Sequence, residues 1–371
     1  MIKLTDHAIG GYERVVRATD STTGLDACIA IHNTQLGPAI GGCRYMEYKD
    51  FDEQRYDALR LSKQMTYKNT LAGLHYGGGK TTINARAGKK SPEFWKSFAE
   101  ALDRLNGIYY TAGDIGTTQD DLLELHKHTQ YALGYRGKDS GWATAYGVYN
   151  SITGAFNYFA GRKNATSTFA LLNRSVAIIG LGKVGSRLAH FLTSLQRSLT
   201  VYAYDIDKQN YDKAKERFNK LNFDSGITRP RLQWCDSIEE INQLPVDIYA
   251  PCATGGMITE QFASETRAKI ICGGANNQLL GDASQILKDR KILYVPDYLA
   301  NCGGIVQVCS SYNISHDITA SLKTEWDHPL VKEKLENIST KVYDLLSQSK
   351  IQNKPTNIVA KEIVEGKLKN L

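Results

Sequence analysis

The chain has 371 residues, which is more than one hydrophobic core usually serves, so we expect two domains and a terminal extension. Its 42% hydrophobic and 23% charged residues exclude a disordered or fibrous protein. The net charge of +6 is spread along the chain, so nothing requires a nucleic-acid partner, and no apolar run reaches the roughly 18 residues of a membrane span.

The cysteines and histidines show no metal-binding pattern. Seven cysteines are dispersed without a CxxC pair, as is usual for reduced thiols in a cytosolic enzyme, and His126 and His128 point apart on a helix. The first ten residues lack the basic and then apolar layout of a signal peptide. We therefore predict a cytoplasmic protein without a metal site or a membrane partner.

The first part of the chain alternates strand and helix patterns. Hydrophobic periodicity predicts strands at 27–31, 81–84 and 108–111 and helices at 52–67 and 92–105. Glycine and polar residues over 134–141 then indicate a crossing between domains. These features predict an N-terminal α/β domain over residues 1–140.

The second part alternates short strands rich in β-branched residues with amphipathic helices. After a helix at 144–160, strands are predicted at 175–179, 199–204, 231–234, 246–250, 269–272 and 292–296, with helices at 183–195 and 208–219. This alternation is typical of a parallel sheet with helices on both faces, so residues 141–325 are predicted to form a doubly wound domain. We expect a cleft between the two domains.

The tail repeats apolar residues at helical spacing. Val331, Leu335, Ile338, Val342 and Leu345 fall three and four positions apart, which predicts an amphipathic helix that packs against another surface. Residues 326–371 are therefore predicted to form C-terminal helices that return toward the first domain.

The strand at 175–179 leads into GLGKVG, the glycine pattern of dinucleotide-binding proteins. Gly180 permits a tight turn, Gly182 lets backbone amides approach a pyrophosphate, and Gly185 lets the next helix pack closely on the strand. The alternative is an ordinary glycine-rich turn of an α/β protein. The order of strand, glycines, helix and second strand favours a cofactor site, which would include Lys183 and Val184.

Asp205 ends the next strand, twenty residues after Gly185. A carboxylate at this place would bind the ribose 2′-hydroxyl of NAD and repel the 2′-phosphate of NADP. The alternative is a solvated carboxylate at the end of a strand. The spacing favours NAD as the cofactor.

Lys68 continues the apolar stripe Ala58, Leu61 and Met65 of the helix predicted at 52–67. A lysine that points inward requires an anion. The alternative, which the sequence leaves equally open, is a side chain whose ammonium reaches solvent near the helix end.

Three consecutive glycines, Gly77–Gly79, precede Lys80. They remove every side chain where the chain enters a strand, which suits a backbone that lies close to a ligand. A nucleoside-triphosphate loop, GxxxxGKT, is the rival, but five residues and not four separate Gly73 from Gly79, and a strand follows Lys80. In a dry pocket near other cations, such a lysine can lose its proton near neutral pH and act as a general base.

Asp114 stands just past the strand predicted at 108–111, at the sheet edge where ligands gather in α/β proteins. The alternative is that Asp114 caps a helix starting near Thr118 or stabilises the Gly-Asp turn. The motif alone leaves both interpretations open.

Nine segments together resemble the leucine, phenylalanine and valine dehydrogenases, a branch of the glutamate dehydrogenase superfamily. They run in order over nearly the whole chain: AIHNTQLGPAIGGCRY, DALRLSKQMTYKN, GGGKTTI, YTAGDIGTTQDD, TAYGVY, GLGKVG, VDIYAPCATGG, GGANNQL and ILYVPDYLANCGGIVQV. The resemblance implies a substrate-binding and oligomerisation domain, a Rossmann-type NAD domain and a homo-oligomer, either an octamer or a dimer.

The resemblance also implies roles for the matching residues. Lys68, with the backbone of Gly41 and Gly42, would bind the substrate α-carboxylate. Lys80 would be the general base, and Asp114 would exchange a proton with the amino group. The positions that match cofactor contacts are Thr144, Asp205, Ala253 and Asn277.

The positions that match the substrate pocket are mostly apolar: Ile40, Met65, Ala112, Ile305 and Val308, with Asn277 nearby. Glutamate-specific relatives resemble this chain except for a lysine at the position of Ile40 and a serine at that of Val308, so a second carboxylate would be buried unpaired here. The resemblance therefore implies NAD-dependent deamination of leucine, valine or isoleucine to the 2-oxo acid and ammonia. Phenylalanine is the alternative, because Asn276 resembles the aromatic-acting members.

A different class of function is a non-catalytic relative that keeps NAD binding for sensing or assembly. The retention of both lysines and of Asp114 argues against this alternative.

Overall fold

The structure is a computed structural model that describes residues 1–86, 88–135, 139–163, 171–196, 198–221, 228–314 and 325–370, with the backbone alone for 311–314. The chain divides into two compact units, one of Met1–Lys138, Val308–Thr324 and Val364–Leu371 and the other of Asp139–Gln307 and Glu325–Ile363. Part of the predicted crossing, residues 136–138, lies outside the described residues. Within the described ranges, every helix is too short or too polar to span a bilayer.

The first unit contains a mixed sheet. Its elements up to residue 126 are β1 (Lys3–Asp6), β2 (Arg14–Asp20), β3 (Leu25–Asn33), β4 (Ala39–Met46), α1 (Phe51–Ala72), β5 (Gly77–Asn84), α2 (Pro92–Asp103), β6 (Tyr109–Gly113) and α3 (Gln119–His126). The strand order is β1-β2-β3-β5-β4-β6, with β4 parallel to both β5 and β6. The predicted strands β3, β5 and β6 and helices α1 and α2 are confirmed, with bounds that differ by a few residues.

The strand β4 is absent from the prediction because Gly41 and Gly42 interrupt its hydrophobic pattern, and glycine is rare in strands. In the structure it lies between β5 and β6. Its register with β5 pairs Ile40 with Gly78 and Cys43 with Thr81, so Gly42 lies level with Lys80. This register places the two glycines beside the predicted catalytic lysine.

Helices cover both faces of this sheet. On one face, the side chain of Gln54 in α1 donates to the Thr82 carbonyl of β5 at 2.9 Å. On the other face, Phe94 and Phe98 of α2 are fully buried in a core that includes Cys43 and other strand residues. The first unit is therefore a sheet between two helical layers, and its polar contacts with α1 lie on the face that carries the site described below.

The glycine run before Lys80 forms the start of β5. A Cβ on Gly78 would overlap the backbone nitrogen of Thr66 in α1, and a Cβ on Gly79 would lie 2.5 Å from the ring of Tyr109. The expectation that these glycines make room for a ligand is therefore wrong for both. They let α1 and a tyrosine of β6 pack directly against the strand backbone.

The second unit holds the predicted parallel sheet. The elements from residue 141 onward are α4 (Gly141–Phe159), β7 (Ser175–Ile179), α5 (Gly185–Leu195), β8 (Thr200–Tyr204), α6 (Lys208–Asn219), β9 (Arg231–Trp234), α7 (Ile238–Gln243), β10 (Ile248–Pro251), α8 (Glu260–Glu265), β11 (Ile270–Ile271), α9 (Ala283–Asp289), β12 (Leu293–Tyr294), α10 (Asp297–Ala300), α11 (Gly303–Ile314), α12 (Pro329–Glu336), α13 (Ile338–Gln352) and α14 (Thr356–Lys369). The strand order is β12-β11-β10-β7-β8-β9, all parallel. Counted from β7, this is the order 3-2-1-4-5-6 of the Rossmann fold.

The apolar residues of the tail are buried as predicted, but they belong to two helices. α12 and α13 are separated at Asn337, so the prediction of one helix over 331–345 is wrong. Asparagine competes for backbone hydrogen bonds and is therefore a common residue at such an interruption. The tail up to Ile363 belongs to the second unit and Val364–Leu371 to the first, and the domain bounds 1–140, 141–325 and 326–371 remain predictions.

Candidate active site

Lys80 is a buried cation within β5. Its side chain is 7% exposed, and its Nζ lies 2.7 Å from Oδ2 of Asp114. Side chains alternate along a strand, so Lys80 lies on the same face of the sheet as Gly78, which contacts α1. A buried ammonium requires an opposite charge, and Asp114 supplies it.

Asp114 follows the last residue of β6, and its turn is tied to β4. Its N–H donates to Oγ1 of Thr117 at 2.8 Å, and this hydroxyl in turn donates to the Cys43 carbonyl at 2.8 Å. Helix α3 is capped by Thr118, which accepts from the Asp121 N–H at 3.1 Å. The alternative that Asp114 caps this helix is therefore wrong, and its carboxylate contacts cations instead.

Arg44 is the second cation on Asp114, and the sequence analysis missed it. Its Nε donates to Oδ2 of Asp114 at 2.9 Å, and its Nη1 donates to Oδ2 of Asp57 in α1 at 2.9 Å. Asp57 also accepts from the Tyr48 hydroxyl at 3.0 Å and from Arg60 at 2.6 Å. If β4 had been recognised as a strand, its alternation would have placed Arg44 on the same face as Gly42.

The charges of this cluster keep its carboxylate ionised. Burial acts to raise the pKa of Asp114, but the charges and hydrogen bonds of Lys80 and Arg44 outweigh burial and hold this pKa well below its ordinary value. Burial acts to lower the pKa of Arg44, and the carboxylates of Asp114 and Asp57 nevertheless raise it. The site therefore holds an ionised carboxylate in contact with two cations.

Gly41 and Gly42 let the backbone of β4 lie directly against this pair and against β5. A Cβ on Gly42 would lie 2.8 Å from the Cβ of Asp114 and 3.0 Å from Nζ of Lys80. A Cβ on Gly41 would overlap the Gly79 carbonyl and lie 3.3 Å from Cγ of Met65. The structure thus brings together five of the predicted residues, and a side chain at position 42 would collide with the charged pair.

The other predicted residues of the first unit lie on the same or neighbouring elements. Ile40 of β4 is fully buried and Ala112 of β6 is 6% exposed. Lys68 is half-buried on α1, one turn after Met65. Val308 of α11 lies 3.7 Å from the position of a Cβ on Gly134. The described uncharged positions of this unit therefore include the buried side chains of Ile40 and Ala112.

The glycine turn of the second unit has the geometry of a pyrophosphate cradle. Gly180 has a φ of 92°, in the left-handed region, and a Cβ on Gly185 would overlap the Gly180 carbonyl. A Cβ on Gly182 would meet no atom within 4 Å. Val184, the residue before α5, makes no side-chain cap. A dinucleotide therefore fits this turn, because the helix N-terminus keeps its amides for an anion and Gly182 leaves the approach open.

Asp205 follows β8 and accepts hydrogen bonds around this turn. Its Oδ2 accepts from the Leu181 N–H at 2.5 Å, and its Oδ1 accepts from the Asp207 N–H at 2.9 Å and from Asn210 at 3.2 Å. These bonds fix the carboxylate beside the glycine turn. Lys183, which follows Gly182, is exposed.

The remaining predicted residues of the second unit lie on four segments. A Cβ on Gly180 would lie 2.7 Å from Ala253, and Asn277, at a φ of 54°, donates its N–H to Asp297 at 2.7 Å. Thr144 of α4 lies 2.8 Å from the position of a Cβ on Gly304. Ile305 is half-buried on α11. Among the described residues, no group of three or more histidine, cysteine or acidic side chains is placed to hold a metal ion.

Two family descriptions match this chain. The glutamate/leucine/phenylalanine/valine dehydrogenase domain matches residues 137–367, and the dimerisation domain of the same enzymes matches residues 11–131. The chain belongs to the glutamate, leucine, phenylalanine and valine dehydrogenase family. It is therefore an oxidoreductase that acts on amino acids, in a family whose members use a pyridine nucleotide.

Individual relatives differ in the amino acid that their names state. The phenylalanine dehydrogenase of Caldalkalibacillus thermarum is 38% identical over 83% of this chain and 81% of its own length. The leucine dehydrogenase of Bacillus subtilis is 34% identical over 97% of this chain and 92% of its own. The crystal structure of L-tryptophan dehydrogenase from Nostoc punctiforme matches with a TM-score of 0.77 and 31% identity, over 97% and 96% of the two chains.

Proposed function

We propose that this protein catalyses the reversible, NAD-dependent oxidative deamination of an apolar L-amino acid, with leucine, valine or isoleucine as substrate. The observation that carries the proposal is the ion pair of buried Lys80 and half-buried Asp114, which lies against the side-chain-free backbone of Gly42. One of these groups can hold a proton and the other can accept one, as proton transfer to and from a substrate requires.

The substrate would be held by its α-carboxylate. Lys68 supplies the opposite charge on α1, and the backbone at Gly41 and Gly42 supplies a surface without side chains. This binding would place the substrate amino group near Asp114, which is ionised and can take a proton from the ammonium. The amine is then neutral and can support hydride loss from Cα.

Lys80 would act in the hydrolytic half of the reaction. In its neutral form it takes a proton from the water that attacks the iminium carbon, and Asp114 returns its proton to the departing amine. The products are the 2-oxo acid and ammonia. The hydroxyl proton of the tetrahedral intermediate is lost as the C=O bond forms and leaves with the ammonia as ammonium, and Lys80 gives its own proton to solvent. The other proton transfers pass through Lys80 and Asp114, which lie 2.7 Å apart.

The cofactor would be held by the glycine turn of the second unit, by Lys183, Val184 and Ala253 around it, and by Thr144 and Asn277. When bound, the nicotinamide ring accepts the hydride that leaves the substrate Cα. The choice of NAD over NADP rests on Asp205, whose carboxylate would accept a hydrogen bond from a ribose 2′-hydroxyl and repel a 2′-phosphate.

The side-chain preference rests on the uncharged positions of the first unit. Ile40 and Ala112 are buried, and Met65 and Val308 are half-buried, so the carboxylate of a glutamate side chain would have no charged partner among them. An unpaired buried carboxylate is costly, whereas an aliphatic side chain is favoured. Phenylalanine is the second candidate, because phenylalanine dehydrogenases are among the relatives with 36% to 38% identity.

We propose a homo-oligomer, either an octamer or a dimer, built through the first unit and the tail. The support is that residues 11–131 match a family description named for dimerisation. Gel filtration with light scattering gives the subunit number, and a monomer would contradict the proposal.

The experiment that tests the proposed function is a panel of 2-oxo acids, supplied with ammonia and NADH and ranked by kcat/KM. We expect the 2-oxo acids of leucine, valine and isoleucine to rank above phenylpyruvate, and 2-oxoglutarate to rank last by at least about a hundredfold. Phenylpyruvate at the top would favour the second candidate. Tight NADH binding without turnover of any member would favour a non-catalytic relative.

A further inference from the structure

Arg44 holds the carboxylate of Asp114 from a position within the sheet. Its side chain is only 12% exposed, and its guanidinium joins two carboxylates that are 57 positions apart in sequence, Asp57 and Asp114. Asp57 is itself held by Tyr48 and Arg60. A buried arginine with this many partners is held in a single orientation, so it can fix the orientation of the carboxylates that it contacts.

The two cations on Asp114 contact the same oxygen. Lys80 lies 2.7 Å and Nε of Arg44 lies 2.9 Å from Oδ2. Among the residues that the structure describes, none donates a hydrogen bond to Oδ1 of Asp114. One oxygen is therefore occupied by cations and the other is left for a ligand.

We propose that Arg44 is a positioning residue for the deamination chemistry, which holds Asp114 so that Oδ1 exchanges the proton with the substrate amino group, and that Asp57 holds Arg44. The inference rests on the proposed function. In the step concerned, an N–H bond of the substrate ammonium breaks and an O–H bond forms at Oδ1, and the reverse transfer returns this proton to the departing amine. Arg44 stays charged throughout and loses no proton.

The reason for a second cation lies in the other role of Lys80. A general base must be neutral when it takes a proton from water, and in that state its attraction for Asp114 is weak. An arginine keeps its charge at every stage, because the ordinary pKa of a guanidinium lies far above neutral pH. Arg44 therefore keeps Asp114 oriented during the part of the cycle in which Lys80 cannot.

The test compares three variants with the wild-type enzyme on its best substrate. Arg44→Gln removes the charge, and Arg44→Lys keeps the charge but cannot reach both carboxylates. Arg55→Gln is the matched control, because Arg55 of α1 pairs with Asp52 instead. For each we would measure kcat, KM, the pH dependence of kcat/KM, the NADH dissociation constant and the thermal midpoint.

We expect Arg44→Gln to lower kcat by at least about tenfold, with the NADH dissociation constant within about twofold of the wild type. Loss of a cation favours protonation of the site as a whole, so the acid limb of the pH profile moves to higher pH. Arg44→Lys should restore the limb toward its original position and recover part of kcat. Arg55→Gln should stay within about twofold in kcat.

An unmoved acid limb in Arg44→Gln overturns the inference, and so does an equal loss of kcat in Arg55→Gln. If the Arg44 variants do not fold, Asp57→Asn replaces them, because its amide keeps the shape but weakens the hold on Arg44. For Asp57→Asn a lowered kcat with a moved limb supports the inference, and an unchanged profile overturns it. A wild-type enzyme inactive on every 2-oxo acid overturns the proposed function itself, which is a different result from an active enzyme that is insensitive to Arg44.

Discussion

The two units use the same sequence features for different physical purposes. Each has a glycine-rich segment in or next to a parallel strand, and each has an aspartate just past the end of another parallel strand of the same sheet. These aspartates are Asp114 after β6 and Asp205 after β8. In the first unit the glycines of β5 are filled by packing, because α1 and Tyr109 occupy the space of their missing side chains. In the second unit, a Cβ on Gly182 would have no neighbouring atom within 4 Å, so the space beside this glycine is empty.

The two aspartates differ in the same way. Asp114 is held by the cations Lys80 and Arg44, whereas Asp205 is held by backbone N–H groups and Asn210. Cations in contact with a carboxylate change the energy of its proton, while neutral donors mainly fix its position. This difference is consistent with the proposed division, in which the first unit transfers protons and the second holds a polar ligand.

The largest effect is expected for Lys80→Ala, which tests this division directly. Lys80 belongs to the proton-transfer unit, so kcat should fall by about 10²- to 10⁴-fold while the NADH dissociation constant stays within about twofold. Steady-state kinetics and fluorescence titration with NADH measure the two effects. Lys96→Ala, on an exposed position of α2, is the control and should leave both unchanged. Equal loss of turnover and NADH affinity would contradict the separation of roles.

The next largest effect is expected for a glycine of β5 whose Cβ position is occupied by other atoms. Gly78→Ala places a Cβ on the backbone of α1 at Thr66 and Ser62, so it should destabilise the fold by about 3 kcal/mol or more, or prevent folding. Gly10→Ala is the matched control, since no atom lies within 4 Å of its Cβ position, and it should change the free energy of unfolding by less than about 1 kcal/mol. Urea denaturation measures both. A stable Gly78→Ala would show that the strand backbone has more room than the structure shows.

The comparison of glycines also shows what sequence can and cannot predict. Strands β7 and β9 and helix α6 have the predicted bounds, because their hydrophobic periods are uninterrupted. β4 was beyond prediction, since Gly41 and Gly42 break its pattern and its strand conformation depends on pairing with β5 and β6.

Site residues follow the same rule. Lys80 and Asp114 stand in motifs that their neighbours make visible. Arg44 does not, because its partners Asp57 and Asp114 lie 13 and 70 positions away in sequence and only the fold brings them to it. The sequence also does not distinguish Gly78 and Gly79, whose Cβ positions are occupied, from Gly182, whose Cβ position is empty. That difference depends on which element lies over each Cα.

Gly182, whose Cβ position is empty, should differ from Gly78 in that a substitution changes ligand affinity and not stability. Gly182→Ala adds a methyl group where no protein atom is near, and the φ of Gly182 is not positive, so stability should change by less than about 1 kcal/mol. The same methyl group would lie where the pyrophosphate approaches, so the NADH dissociation constant should rise by about tenfold or more. Calorimetric titration with NADH checks this result. An unchanged affinity would mean that the dinucleotide does not approach this turn.

The smallest effect is expected for the charge of Asp205. Asp205→Asn keeps an oxygen that accepts the Leu181 N–H but removes the negative charge, so the turn should stay folded while the repulsion of a 2′-phosphate is lost. The ratio of kcat/KM for NADH over NADPH should fall by about tenfold. Asp212→Asn, on an exposed position of α6, removes the same charge farther along the chain and should leave the ratio unchanged. If both variants lower the ratio equally, the general surface charge, and not a contact at the ribose, selects the cofactor. Asp205 would then act through its charge, as the charged groups of the first unit do.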